Sequence, residues 1–541
     1  MNSYKITSFL ENRNMTFWVM FILICLIPLA VWRDYTPANE LRYISIADEA
    51  LRNNTWFSLT NHGEPYSDKP PFYFWLIMLC KLITGEYHMG ILILYSLLPA
   101  LGIAYTMNKW TQGLMSSSSR STLPLFLITT GYFAGTAMVL RMDMLMVWFI
   151  ILALYHFHQM YEGKGSFRKH QILMAVYIVL GFYAKAFMGI LIPLVSSALF
   201  LAFKKELRSF GKYWNWKVWS IIVASFLFWF GMVYVEAGGE YLYNLTVGQT
   251  VSRSVKVSVH KRPFYYYLIF LSYGVAPWTL FYLFALIKGV KEKMFRTSAE
   301  QLFLIEIVST FVMLSCFGSK LAIYLVPIFP FMVCLSLIVL EQSRWSKMMA
   351  FGVSLPAIAT VLAFPAYIYI ALILPQYRHP ALYIATAILT AGSGWSLVYA
   401  WKRKRLLTAS ILFCCGFLLT AFAGGFSLPK FNSLIGYTEL AEKAQQQEKV
   451  WQTSGVVTYG VWRAENMDVF FPERLTVVHE ADSLITKQQN RLLILNKSKL
   501  QENVVDSLVA TKPKVEALGD YLFVKSVSYT HLRAHETGAY L

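Results

Sequence analysis

Charge is scarce in this chain. Asp, Glu, Lys and Arg make up 14% of its 541 residues, against roughly a quarter in an ordinary soluble domain. With 56% hydrophobic residues and a mean hydropathy of +0.47, this shortage excludes a water-soluble globular protein and points to a polytopic membrane protein. Cysteine is scarce too: Cys25, Cys80, Cys316, Cys334, Cys414 and Cys415 lie in or beside apolar runs, without metal-ligand spacing. Neither a disulfide framework nor thiol chemistry is expected. No GxGxxG, P-loop, HExxH or GxSxG pattern stands out, and there is no internal repeat of the kind transporters often carry. The first apolar run lacks a small-residue cleavage site and is expected to stay as an anchor.

What the chain has instead is a series of about thirteen apolar runs, near 15–32, 88–108, 121–140, 143–160, 170–184, 186–203, 218–236, 265–287, 299–317, 321–340, 348–374, 381–401 and 406–425. Runs of this length suit a hydrocarbon layer of ~30 Å. The net charge of +18 does not gather into one patch, as a nucleic-acid binder would need. It follows the loops Lys109–Arg120, Lys164/Arg168/Lys169, Lys204–Lys217, Lys288–Arg296, Arg344/Lys347 and Lys402–Arg405, which all fall on one side if the N-terminus lies inside. An odd number of spans then places residues 33–87 and everything beyond the last span together on the outer side. The fold class expected is an α-helical membrane domain over 1–428 followed by a small soluble α/β domain over 429–526. In that domain the pattern predicts helices over 437–449 and 499–510 and strands over 455–460, 474–478 and 491–496. From Ser528 the sequence SYTHLRAHETGAYL changes character and resembles a translated adaptor, so 527–541 is set aside from the fold.

The most informative stretch is the long first outer loop, 33–87. It holds seven carboxylates (Asp34, Glu40, Asp48, Glu49, Glu64, Asp68, Glu86) against five Lys and Arg, and a loop this long and polar in so apolar a chain implies chemistry at the membrane surface. Asn39-Glu40-Leu41-Arg42-Tyr43 precedes ISIADEALRNN, whose apolar positions suit a short helix on the interface. Glu40 would sit at the helix start, either as an ordinary capping acid favoured by the helix dipole or as a working carboxylate. Asp68-Lys69-Pro70-Pro71 is sharper. The prolines fix the backbone just before the aromatic FYFW, which suits an interface anchor. A pair held this way can offer a carboxylate to a metal and an ammonium to a phosphate, or can be a plain surface ion pair.

Other cations reach the same side from separate segments: Arg141 beside Asp143 at the mouth of a span, Lys185 between two spans, Arg253, Lys256, His260, Lys261 and Arg262 before PFYYY, and Lys320 in GSKLAIYLVP. Ionisable groups at such depths face a cavity or a partner, and cations converging from five segments suggest an anionic ligand. Snorkelling to the interface is the alternative for each taken singly. His156 and His158 lie toward the inner end of a span and read as structural.

The order NELRY, SDKPPFYFWL, RMD at a span entrance, GFYAKAFMGILIP, KRPFYYYLIFLSYGVAPW and GSKLAIYLVPIFP resembles the bacterial membrane glycosyltransferases related to the aminoarabinose transferase of lipid A and, more distantly, the protein O-mannosyltransferases. The resemblance runs over roughly 15–430. It implies the C-type membrane glycosyltransferase fold, with thirteen spans, an outer-face active site and a small soluble C-terminal domain, in the bacterial inner membrane with the site facing the periplasm. It also implies transfer of a sugar, with inversion, from a polyprenyl-phosphate carrier to a glycolipid, glycan or protein acceptor, with a divalent metal near the carrier phosphate. Carried over by motif, the family's acidic pair falls on Asn39 and Glu40, its acid-Lys-Pro on Asp68, Lys69 and Pro70, its later aspartate on Asp143, its lysine on Lys185, and its Lys-Leu-x-x-Tyr on Lys320, Leu321 and Tyr324.

The resemblance thus makes Asn39, Glu40, Asp68 and Asp143 the catalytic candidates, with Glu40 and Asp68 the metal ligands. Arg42, Lys69, Lys185, Arg262, Lys320 and Tyr324 become the substrate-binding candidates, although Arg262 matches no family site residue. The departure is Asn39, an amide where the family has an acid, which neither accepts a proton at neutral pH nor adds negative charge. Cations would stabilise the leaving phosphate, a carboxylate would deprotonate a hydroxyl acceptor, and a phosphate acceptor would need no base. A flippase for polyprenyl-linked glycans and a catalytically silent lipid-binding homologue stay open beside the enzyme.

Overall fold

The computed structural model describes residues 3–248, 261–481, 483–486, 490–502, 505, 509 and 515–525. Arg253, Lys256, His260, half of the helix expected over 499–510 and the segment 527–541 lie outside the described residues. Each of the thirteen apolar runs is helical. Among the described residues, however, only eight helices are long and apolar enough to cross a membrane, or nine if the bent pair Tyr266–Gly274 and Thr279–Lys291 counts as one. Some runs fall short for visible reasons. The run over 121–140 is broken at Thr130 into Leu123–Thr129 and Gly131–Ala137, and Met15–Val31 and Met188–Phe203 are shorter than a full crossing. Phe167–Lys185 carries Arg168, Lys169 and His170 in its first turns.

Helices Asp143–Tyr161 and Phe329–Gln342 form the buried centre. Helix Trp216–Tyr243 turns Leu227, Phe228 and Val235 outward, and Leu362, Leu372 and Trp395 are likewise exposed. Large apolar side chains on so many outer faces fit a lipid environment and not water. Helices Pro380–Leu397 and Leu406–Gly425 cross at Gly392 and Gly416, where an added Cβ would lie about 3 Å from the opposite Cα. Small residues here let the backbones meet in van der Waals contact, the main source of helix association in lipid.

The first outer loop is more ordered than a loop. Its helix Arg42–Asn53 ends at Asn54, which takes the left-handed conformation that stops helices. Tyr43, Ile44, Ile46, Ala47, Asp48 and Ala50 are all buried, so this helix is packed inside the protein instead of lying half-exposed on the interface. The strands Thr60–Asn61 (β1) and Glu64–Pro65 (β2) pair antiparallel. Phe72–Thr84, expected as loop, is a helix that starts after Pro71 and closes at the left-handed Gly85. Glu236, from helix Trp216–Tyr243, accepts the backbone N–H groups of Trp56, Phe57 and Ser58 at 2.5–2.8 Å and so fastens the loop to the bundle.

Beyond the last helix, Thr438–Trp451 packs on a five-stranded sheet of β3 Val456–Tyr459, β4 Thr476–Val478, β5 Leu492–Asn496, β6 Val515–Leu518 and β7 Tyr521–Lys525. The order is β4-β3-β5-β7-β6. The first three strands are parallel, and β7 runs antiparallel to both β5 and β6. The expected α/β domain is therefore present, with a C-terminal hairpin turning at Gly519-Asp520 that the sequence reading did not include.

This domain sits directly on the first loop. Asp34 accepts the Thr438 amide at 3.0 Å and hydroxyl at 2.5 Å. Arg52 donates to the carbonyls of Asp468, Phe471 and Pro472, Arg474 pairs with Glu49 at 3.0 Å, and His62 Nδ1 lies 2.6 Å from Asp468. The loop and the domain thus share one side of the bundle, as the parity of the apolar runs implied. The hydrogen bond to Asp468 raises the His62 pKa from its ordinary 6.5 against the opposing effect of burial, with Arg474 and Glu49 also facing it. A raised pKa means that the stabilisation is complete below about pH 6.5 and is lost as pH rises through the folded-state value. Limited proteolysis of the domain is expected to quicken at alkaline pH, and His62→Asn to remove that pH dependence. A wild-type profile that is flat between mildly acidic and alkaline pH would refute the expectation.

Candidate active site

The site is assembled from backbone breaks. The helix Gly131–Ala137 stops short, and the segment 138–142 folds over the first loop before helix Asp143–Tyr161 begins. The Leu140 amide donates to Glu40 at 2.8 Å, and the Met138 carbonyl accepts from Arg33 at 3.0 Å. Glu40 is fully buried. Its two oxygens take both guanidinium arms of Arg33 at 2.6 Å and the amide and hydroxyl of Thr36 at 2.9 Å, besides Leu140. Burial pushes its pKa up, but Arg33 and the two amides outweigh burial and hold it below the usual carboxylate value.

Five donors exhaust the lone pairs of a carboxylate. Two expectations for Glu40 are therefore corrected. It has no acceptor capacity left for a substrate proton or a metal, and it caps the turn at Thr36 instead of the helix that follows. Among the described residues no group of three His, Cys, Asp or Glu is placed to hold a metal ion. With its oxygens committed to Arg33, Thr36 and Leu140, Glu40 does not fit as one half of a Glu40–Asp68 divalent metal site.

Beside this anchor the remaining candidates converge. Asp143, the first residue of its helix, is 1% exposed. Its Oδ2 accepts from Arg141 Nε at 2.9 Å, and its Oδ1 pairs with the Lys185 ammonium. Lys185 ends helix Phe167–Lys185, is 4% exposed at its side chain, and stands 4.8 Å from the centre of the Tyr324 ring. Arg141 Nη1 lies 3.5 Å from Asn39 Oδ1. The charges of Lys69 and Arg141 both bear on Lys185. Asp68, Arg42, Arg141 and Tyr324 all act on the buried Tyr43 phenol, and Arg42 lies over the Tyr66 ring at 4.9 Å.

Seven sequence candidates, Asn39, Arg42, Asp68, Lys69, Asp143, Lys185 and Tyr324, are therefore neighbours. With both oxygens occupied by cations, Asp143 positions Arg141 and Lys185 and is not a free base.

Lys320 is a further correction. Its ammonium donates to the carbonyls of Arg262, at 3.2 Å, and Phe317, which straps the chain before Tyr266 to the end of helix Ser298–Cys316. Two of its three protons are thus spent on backbone, which explains its burial without an anionic ligand. Arg262 is exposed and lies 5.8 Å from the Tyr266 ring, and among the described residues no hydrogen bond or ion pair draws its guanidinium into the cluster. Arg33, by contrast, organises the first loop and was missed. Its only signal is a basic residue at the outer end of the first span, seven positions before a carboxylate. Arg141 is one of the converging cations that the sequence shows at a span entrance, and the structure places it on Asp143.

Residues 68–229 match the sequence profile of the dolichyl-phosphate-mannose-protein mannosyltransferase family. An undecaprenyl phosphate-α-4-amino-4-deoxy-L-arabinose arabinosyl transferase from Shewanella sediminis is 24% identical over 57% of this chain. The match spans only 56% of that relative, a little over half its length. A relative of the same description from Pseudomonas fluorescens is 24% identical over 83% of both chains. The crystal structure of ArnT from Cupriavidus metallidurans bound to undecaprenyl phosphate superposes with a TM-score of 0.74, covering 95% of this chain and 98% of that one at 15% identity. The resemblance drawn from the motifs is therefore the right one: the chain has the fold of ArnT and is similar in sequence to the arabinosyl transferases that use undecaprenyl-phosphate-linked aminoarabinose.

Proposed function

We propose that the chain transfers a glycosyl unit, with inversion, from a polyprenyl-phosphate carrier to an acceptor at the outer face of a bacterial inner membrane. The observation that carries this reading is the pairing of Arg141 and Lys185 on Asp143, with Lys69 close enough for its charge to act on Lys185 and Arg42 and Asp68 acting with Arg141 on the adjoining Tyr43. Breaking the bond between the sugar carbon and the phosphate oxygen leaves the electron pair on that oxygen. Preorganised cations lower the barrier by meeting this charge as it develops. Asp143 supplies the rigidity by holding Arg141 and Lys185 in place before the donor arrives.

Asn39 is an amide, and both oxygens of Asp143 are held by Arg141 and Lys185. A phosphate-bearing glycolipid of the lipid A kind fits best as acceptor, because its oxygen is already anionic and needs no base. Lys69→Ala is expected to lower turnover and carrier binding at least tenfold, a loss of about 1.4 kcal/mol per decade, with thermal stability unchanged. The assay uses radiolabelled polyprenyl-phosphate sugar and detergent-solubilised full-length protein. Unchanged kinetics in both Lys69→Ala and Arg141→Gln would return the cluster to a structural role, and wild-type binding of the donor without transfer would favour a silent binding protein.

A further inference from the structure

A cavity of about 590 Å³ opens where the C-terminal domain meets the first loop. Its walls include Pro37, Tyr437, Glu439, Trp462, Asp520 and Tyr521. It is separate from the cation cluster and shares no lining residue with it, but the two are linked through the turn 37–41. Pro37 is two residues from Asn39, at most about 7 Å of backbone, and its carbonyl is fixed by Asn466 at 2.9 Å.

The cradle is built with little slack. Gly436 passes so close to Asp34 that a Cβ would lie 2.4 Å from the carboxylate, and Asp34 also caps Thr438. Tyr437 donates its hydroxyl to the Trp462 carbonyl at 2.6 Å and meets the Tyr521 ring edge-on at 6.3 Å. Trp462 is 62% exposed, which leaves aromatic surface open to a ligand. Glu439 and Asp520 are exposed, and neither is held in an ion pair among the described residues. Beside them, Lys497 gives its ammonium to the Gly519 carbonyl.

We infer that this cavity is a saccharide subsite that docks the glycan part of the acceptor while its reacting group lies at the cation cluster. The chemistry is specific. Flat aromatic faces cover the C–H face of a sugar ring, and carboxylates accept from its hydroxyls, the usual pattern of an apolar wall with a few placed polar groups. Glu439 and Asp520, in no ion pair among the described residues, favour neutral or amine-bearing sugars over phosphorylated ones, because the Lys497 ammonium beside them is spent on the Gly519 carbonyl. Phosphate is thus directed to Lys69, Arg141 and Lys185, and the uncharged or amino sugar to Trp462 and Tyr521. Naming the ligand as acceptor rests on the transferase reading; the saccharide site itself does not.

The test is therefore a binding measurement without turnover. Purified full-length protein in detergent is titrated with three probes, N-acetylglucosamine oligomers, glucosamine oligomers and glucosamine 6-phosphate, and followed by saturation-transfer NMR. Binding of the first or second probe is expected, with at least tenfold weakening in Trp462→Ala and weaker binding of the amine probe in Asp520→Asn. Both variants are expected to keep wild-type affinity for the carrier phosphate. Absence of saccharide binding to the wild type, undiminished binding in Trp462→Ala, or preferential binding of the phosphorylated sugar would each overturn the assignment. Saccharide binding with no transfer activity in any assay would leave the subsite standing and refute the transferase reading alone.

Discussion

Asp143→Asn is expected to destabilise the protein by about 3–5 kcal/mol, the usual effect of leaving one half of a buried ion pair uncompensated. Asp143 is 1% and Lys185 4% exposed at their side chains, so water cannot take the place of the lost carboxylate. An amide keeps the shape but not the charge, and the Lys185 ammonium is left facing the like charges of Lys69 and Arg141. Lys185→Met alone should cost less than Asp143→Asn, since Arg141 still pairs with the carboxylate. The double variant should recover part of the loss because it removes both charges. Thermal unfolding of detergent-solubilised protein measures all three. A loss below about 1 kcal/mol for Asp143→Asn would mean the pair is worth no more than a solvent-screened surface bridge.

Glu40→Gln is expected to be comparably severe, because the Glu40 oxygens are wholly engaged within the protein. The carboxylate gathers five donors from Arg33, Thr36 and Leu140, and an amide must turn its own N–H groups toward some of them. Donor facing donor in a fully buried place leaves polar groups unsatisfied at about 1–3 kcal/mol each, more where a charge is involved. The turn 37–41 and the segment 138–142 would separate, and Asn39 and Arg141 would move with them. Stability and activity should therefore fall together, whereas Lys69→Ala should lower activity alone. A Glu40→Gln protein that unfolds at the wild-type temperature yet has no activity would restore Glu40 to catalysis.

These two residues also mark the limit of what could be read from the sequence. The acid motif in the first loop, the Asp68-Lys69-Pro-Pro element, the aspartate at a span entrance and the lysine after GFYA were legible because acids and bases at membrane depth need partners. Asp68, Lys69, Asp143 and Lys185 do come together. Their division of labour was not legible. Whether Glu40 is free or spent depends on Arg33 and on the Leu140 amide, which is a hundred residues away and presented by a break at Thr130 that hydropathy reads as a continuous span. Lys320 looked like a phosphate ligand for the same reason: nothing in GSKLAIYLVP reveals that carbonyls at 262 and 317 will take its protons. The strands β3, β4 and β5 were visible as short apolar runs. The closing hairpin, VEALGDYLFVK, carries its signal only in the Gly-Asp turn.

Asn39 has a kinetic consequence. Arg42, Lys69, Arg141 and Lys185 set four positive charges against the two of Asp68 and Asp143, a difference of two. In the proposed reaction the carrier enters as a diester with one negative charge and leaves as a monoester with about 1.5 to 2 at neutral pH. A cluster with two positive charges in excess therefore matches the spent carrier better than the loaded one, and an aspartate at position 39 would have reversed that preference. Departure of the bare lipid phosphate is then the slow event, and polyprenyl monophosphate should inhibit competitively at concentrations below the KM of the donor. Asn39→Asp should relieve the inhibition and raise kcat; equal affinity of the wild type for both carrier forms would rule this out. By this account the asparagine trades speed for retention, keeping the lipid carrier at the site after its sugar has gone.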